Sequence, residues 1–208
     1  MPERRRAQIV QSAARLFAER PYSAVSVSDV AAAAGVTRAL VNHYFHTKRE
    51  LYRAVLRSLL DAAPEVVRTD LGLPVEQMVA TNVDAALDFA EQNRHTLFAL
   101  MQPGGFDNDP ELADVIDQAH ERLVDRIVLN HTGTLDQPPE VRFLIRGYLG
   151  LFQAAAHEWL GRRRASRAAT HLLLTNTLLA MIRDALPSLV ALSEQADAGA
   201  GQRPHVRA

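Results

Sequence analysis

The residues best equipped for chemistry in this chain are its histidines, its carboxylates and a dense run of hydrogen-bonding side chains at 38–48. His120-Glu121 and His157-Glu158 each pair a base with an acid, but sequence neighbours point in different directions on a helix. His43-x-x-His46 straddles a helix end with no carboxylate at ligand spacing. Cysteine is absent, which removes disulfides and thiolate metal sites and agrees with a cytoplasmic protein. No H-E-x-x-H, glycine-rich phosphate loop or G-x-S-x-G is present. No catalytic residue, metal or cofactor is therefore assigned, and an enzyme is not expected; a metal-dependent catalyst built on the histidine–glutamate pairs is the alternative from that class.

The 38–48 run offers recognition rather than bond-making. Asn42 has the donor and acceptor to pair bidentately with an adenine, Arg38 can reach a guanine or a phosphate, and Ala39 is small enough to meet a thymine methyl. His43 and Tyr44 can donate to phosphates, and Lys48, the only lysine, stands in the first turn of a helix, where a cation and free N–H groups suit an anion. Charge agrees. Residues 1–60 carry ten basic side chains against four acidic ones, whereas the remainder carries 13 against 20, although the whole chain is only −1. A basic module joined to an acidic one implies that the first faces a polyanion.

The elements that must position these residues are all helical. Ile9, Ala13, Leu16 and Phe17 make one apolar stripe over a helix at about 4–20. Ser26, three residues before Asp29, opens a short helix that Gly35 ends; Thr37 caps the next, running to about Phe45. Thr47 and Glu50 form a T-x-x-E capping box for a helix that should stop before Pro64. Val30, Ala31, Val36 and Val41 fill the wedge of this helix–turn–helix, and at ~100° per residue the second helix turns Ala39, Leu40, Asn42 and His43 outward, flanked by Arg38 and Tyr44. Further helices are expected at about 75–93, 94–102, 110–130, 139–162 and 166–192, with a frayed or disordered tail at 193–208. The expected organisation is a helix-turn-helix domain at 1–47, a connecting helix at 48–63, and a helical effector-binding and dimerisation domain at 64–192. With 48% hydrophobic and 23% charged residues, 208 residues make an ordinary all-α globular protein of about nine helices. No apolar run is expected to span a bilayer.

Residues 5–60 resemble the N-terminal module of the tetracycline-repressor (TetR) family of bacterial regulators. The matching positions are Ser26, Val30-Ala31, Ala34-Gly35-Val36, Thr37, Tyr44-Phe45 and Thr47-Lys48. Asn42 stands where that family often has tyrosine, so base preference does not carry over. The resemblance implies a homodimer that binds near-palindromic double-stranded DNA in the bacterial nucleoid, and a repressor released by a largely apolar small molecule. Ser26, Thr37, Arg38, Ala39, Leu40, Asn42, His43, Tyr44 and Lys48 are the expected DNA contacts. For the dimer, the residues themselves offer a seam of Leu172, Leu179, Ile182 and Leu186 and a small-residue stripe of Gly147, Gly150 and Ala154; both would serve equally as intramolecular core. For an effector pocket the candidate liners are Phe89, Phe98, Met101, Phe106, Phe143, Phe152, His157 and Trp159, with Gln102 and His157 as polar groups that could orient a ligand. A helical interaction protein without an effector is the remaining alternative.

Overall fold

The computed structural model describes residues 2–68, 72–101 and 110–192. Among them are nine α-helices and no strand. The first four are α1 (Pro2–Glu19), α2 (Val27–Ala33), α3 (Arg38–Tyr44) and α4 (Lys48–Val66). After them come α5 (Val75–Gln92), α6 (Arg94–Met101) and α7 (Pro110–Thr132). Last are α8 (Pro139–Ala156), prolonged by a π turn at His157–Gly161, and α9 (Arg167–Ala180), which continues through a second π turn, Met181–Ala185, to Leu192.

Local chemistry sets the boundaries. Ser26 accepts from the Asp29 N–H at 3.1 Å while Asp29 accepts from the Ser26 N–H at 2.8 Å, a reciprocal cap on α2. Gly35 then takes φ +62°, letting Val36 N–H return to the Ala31 carbonyl at 3.0 Å. Thr37 and Ser166 cap α3 and α9 through the N–H groups of Leu40 and Ala169. The α8–α9 corner turns on Arg163, which has φ +53°.

Two expectations about α4 need correction. Thr47 does accept from Glu50 N–H, but the Glu50 carboxylate reaches back to the N–H of His46 rather than of Thr47, so the box closes one residue early. Pro64 lies inside the helix, which runs on to Val66. A proline in the last turn forfeits a single hydrogen bond, and this ring is buried. Val67 N–H closes onto the Pro64 carbonyl, and Asn82 then holds both the N–H and the carbonyl of Arg68.

Packing yields two apolar clusters. The first joins Ile9, Ala13, Phe17, Val30, Val41, Phe45, Leu51 and Leu56 from α1–α4 to Leu112 at the start of α7. The second joins Val79, Val83 and Leu87 of α5 to Val124, Leu144, Tyr148, Trp159 and Leu174 of α7–α9. One helix departs from expectation. Arg167–Leu192 is long and apolar enough, by length and composition, to cross a membrane, yet only 11% of its most apolar window is buried within the chain. Leu174 and Leu178 are buried and Leu179, Ile182 and Leu186 pack half-buried on the second cluster, while Leu172, Leu173 and Leu192 are exposed.

A Cβ at Gly35 would meet no atom within 4 Å, so only the backbone opposes substitution there. Gly35→Ala is expected to destabilise the fold by ~1–2 kcal/mol through the left-handed φ, read from equilibrium denaturant unfolding; no loss would mean the turn relaxes.

Candidate nucleic-acid interface

Helix α3 is seven residues long, too short to hold itself in water. Its conformation is imposed from behind. Val41 and Phe45 are 1% and 3% exposed within the first cluster, and the Arg6 guanidinium lies 5.0 Å over the Phe45 ring. The preceding turn is held in the same way: Gln8 Nε2 donates to the Ala34 carbonyl at 2.9 Å, tying the end of α2 to α1. With one side of α3 consumed, Arg38, Ala39, Asn42 and His43 are exposed on the other, and Leu40 and Tyr44 are half-buried at its margin. The His43 and Tyr44 rings meet edge-on at 5.5 Å.

Beside α3, residues 23–28, Arg38 and Lys48 line an open recess of about 340 Å³. Lys48 does not extend freely into solvent. Its ammonium donates to the Tyr22 carbonyl and sits 4.0 Å over the Tyr22 ring, and this partial burial lowers its pKa, opposed by the nearby Asp29 carboxylate. Asp29 is held below the usual carboxylate range, chiefly by the Ser26 N–H and then by the Ser26 hydroxyl.

Tyr22 leads inward. Phe17, Tyr22 and Tyr52 form an aromatic trio with centroids 4.7–5.9 Å apart. Burial pushes the Tyr52 hydroxyl up to about 12, opposed by a hydrogen bond with Thr96 on α6. Thr96, itself 2% exposed, also bonds the Phe17 carbonyl at 3.3 Å. On the opposite side of α4, Arg122 pairs with Asp61 at 2.6 Å and Arg126 Nε donates to the Val67 carbonyl at 3.0 Å. The recess is thus joined to α6 by packed rings and to α7 by charges along α4. Gln8, Arg6, Tyr22, Tyr52 and Thr96 escaped the sequence reading; the one available signal was an aromatic trio in an otherwise alanine-rich module.

Five of the nine expected pocket residues have described side chains: Phe89, Phe143, Phe152, His157 and Trp159. Trp159 is buried in the second cluster and Phe152 packs half-buried against it, while Phe89 and His157 are half-buried. Phe143 is 67% exposed, which corrects its assignment to an enclosed wall: on α8 it faces away from the buried Val141, Leu144 and Ile145. The side chains of Phe98, Met101, Gln102 and Phe106 lie outside the described residues, as does the 193–208 tail. Gly147, Gly150, Ala154 and Leu172 are exposed on α8 and α9, and Leu179, Ile182 and Leu186 are half-buried against the second cluster. Among the described residues no three histidine, aspartate or glutamate side chains converge as a metal site. Glu121 is taken by Arg146 and His120 by Gln153.

The family of bacterial regulatory proteins designated tetR matches residues 9–55. The transcriptional repressor LfrR of Mycolicibacterium smegmatis is 34% identical over 134 residues, covering 64% of this chain and 67% of LfrR. The chain belongs to the TetR family. The HTH-type transcriptional activator FasR of the same species is 26% identical over 166 residues, 78% of this chain and 75% of FasR. A TetR-family regulator from Streptomyces coelicolor superposes with a TM-score of 0.75 at 26% identity, over 91% of this chain and 87% of that one. The chain is accordingly a DNA-binding transcriptional regulator, and α2–α3 is the TetR helix-turn-helix.

A depressed folded-state pKa stabilises the fold above the unfolded value and is lost as pH falls through the folded one. Asp29→Asn in this TetR module should therefore melt lower than the parent near pH ~7. The gap should narrow as pH falls below ~4 and close only below the depressed folded-state value, where the parent carboxylate is protonated in both states. A gap that stays constant across the acid limb of a melting-temperature profile would show that the Ser26–Asp29 cap adds no charge-dependent stability.

Proposed function

We propose that the chain is a homodimeric, ligand-responsive repressor whose two α3 helices read successive major grooves of a near-palindromic operator. The observation that carries this reading is the exposed Arg38–Ala39–Asn42–His43 face backed by buried Val41 and Phe45. Asn42 reads an adenine edge, Ala39 a thymine methyl, and Arg38 a guanine or phosphate. Ser26, Thr37, Leu40, His43 and Tyr44 complete the contact, and a phosphate occupies the recess beside Lys48. The ammonium turns from the Tyr22 carbonyl to a stronger anionic acceptor. Residues 1–47 act as the DNA-reading unit, 48–63 as the connection and 64–192 as the effector-binding and dimerising unit.

Repression follows LfrR, whose 34% identity exceeds the 26% of the activator FasR, and a small-molecule effector is supported by the LfrR structure in complex with proflavine, which superposes with a TM-score of 0.58 at 28% identity over 86% of this chain and 96% of LfrR. Effector binding shifts α6 and α7. Through the Thr96–Phe17–Tyr52 contacts and the Arg122–Asp61 pair it then tilts α4 and changes the spacing of the two α3 helices. It acts only to the extent of its differential affinity for the two arrangements.

The dimer reading rests on what α8 and α9 leave uncovered. Leu172, Leu173 and Phe143 are 61%, 48% and 67% exposed. A Cβ at Gly147 or Gly150 would meet nothing within 4 Å, so the chain itself makes no use of the space those glycines leave. A second copy, pressing its own α8 and α9 on this face, would fill that space and bury the leucines, giving the twofold symmetry that a palindrome requires.

Selection of bound duplexes from a random DNA pool tests the whole reading; a site without inverted symmetry would overturn it. On the selected site, Asn42→Ala should lose ~1–3 kcal/mol and relax preference at one base pair. Lys48→Ala should weaken all sequences alike and reduce the log–log salt slope by ~0.9. Unchanged base preference in Asn42→Ala would remove its assigned role. For the dimer, Leu172→Glu should shift sedimentation toward the monomer and weaken operator binding together; a variant that remains dimeric would place the interface elsewhere.

A further inference from the structure

The second apolar cluster contains a polar atom that its packing does not require. Tyr148 of α8 is 4% exposed, its hydroxyl oxygen is shut off from solvent, and no described group bonds to it. Val83, Leu87, Leu144, Trp159 and Leu174 are members of the same cluster, and all are hydrocarbon or aromatic. A phenylalanine would occupy the same volume without a stranded donor. Interiors retain few such groups, because a desolvated, unpaired hydroxyl is destabilising. Thr175 of α9 also buries an unpartnered hydroxyl, but a helical threonine can rotate onto the carbonyl one turn back. Tyrosine has no such refuge.

We propose that the Tyr148 hydroxyl is the hydrogen-bond anchor for the effector, and that the effector presents to it a neutral acceptor, a ketone, ester or amide carbonyl, on an apolar skeleton. This rests on the reading of 64–192 as the effector-binding unit and adds the chemistry of its ligand. Burial alone holds the Tyr148 pKa above its ordinary value, with no charged group contributing, so the phenol stays protonated and donates. One neutral donor satisfies a carbonyl. It does not compensate a carboxylate, most of whose lone pairs would remain desolvated, nor an ammonium, which needs several acceptors. Charged effectors are disfavoured by the same surroundings that keep the phenol neutral.

The experiment uses the full chain and four probes of matched skeleton: methyl octyl ketone, decanoate, decylamine and decane. Trp159, the only tryptophan and 9% exposed in the same cluster, reports binding by its emission. Without any probe, Tyr148→Phe should melt ~2–4 °C above the parent, because the variant no longer buries an unpaired hydroxyl. The ketone should bind the parent more tightly than decanoate or decylamine do, and roughly tenfold more weakly to Tyr148→Phe, while decane should not distinguish the two proteins. A lower melting temperature in Tyr148→Phe would show that the hydroxyl is already paired and structural. That result, equal ketone affinity for both proteins, tighter binding of a charged probe, or no binding of any probe would each overturn the proposal. Operator release followed in the same titration separates the two readings. Ketone binding that depends on Tyr148 but releases no DNA overturns the regulatory reading and leaves the anchor. Release that is indifferent to Tyr148→Phe overturns the anchor and leaves the regulation.

Discussion

A helix of seven residues has too few internal hydrogen bonds to repay its own nucleation, and the whole reading surface depends on supplying that deficit from outside. Val41 and Phe45 supply most of it, at ~1.5–3 kcal/mol for each fully buried side chain, and the Thr37 cap adds ~1 kcal/mol. Because that stability comes from the inner face and the cap, the exposed Arg38, Ala39, Asn42 and His43 are not what holds the helix in place. In the proposed function they are free to be chosen by the DNA. The same division explains why the Gly35 turn is strict while the outer residues are not: an altered turn angle would rotate the inner pair out of register with α1 and α4.

The reading module is not energetically separate from the rest of the chain. Leu112 belongs to its core although it opens α7, and Val115 and Ile116 pack against the same cluster. Helix α4 is therefore shared, gripped at its start by the aromatic trio and along its length by α7. Arg142, which pairs with Asp125 and with Glu121, continues the charged rows to α8. Most of these pairs are partly exposed, and such pairs stabilise little; they fix the rotation of α4 and α8 about α7 more than they hold the helices together. A displacement of α6 meets a different kind of resistance. Thr96 is buried, and moving it strands a hydroxyl and a carbonyl at once, so a shift at α6 must carry α1 and α4 with it or break those bonds.

Features set by neighbouring residues were legible in the sequence. The Ser26–Asp29 and Thr37 caps, the Gly35 turn, the inward Val41 and Phe45 and the outward Asn42 all follow from spacings of three or four residues, and helix period fixes each of them. Features set by distant residues were not. Lys48 reads as a free cation until Tyr22, 26 residues earlier, is brought beneath it. Phe143 reads as a pocket wall because aromatic residues are usually buried, and only the placement of Val141, Leu144 and Ile145 on the opposite side of α8 shows that it faces out. Pro64 reads as a stop because the rule concerns helix interiors, and its position in the last turn depends on where Asn82 seizes the chain. Tyr148 carries no signal at all: its spacing is that of a core residue, and the missing partner is a property of the fold.

The exposed leucines of α9 need a destination that length and composition alone leave open. A bilayer would have to accept Asn176, Arg183 and Asp184 within the same helix, and Arg183 is already paired with Glu76 of α5. Arg167 meets Asp84 and Asp88 of α5 at 2.9 and 2.5 Å, and His171 bonds the Ala80 carbonyl. One side of α9 is thus fastened to the protein by polar contacts that lipid would not tolerate next to it. The exposed Leu172 and Leu173 sit one or two residues from those contacts. A surface that is apolar in patches and polar at its margins suits a protein partner better than a continuous hydrocarbon phase. In the proposed dimer, such margins also fix the rotation between subunits, and that rotation sets the distance between the two α3 helices.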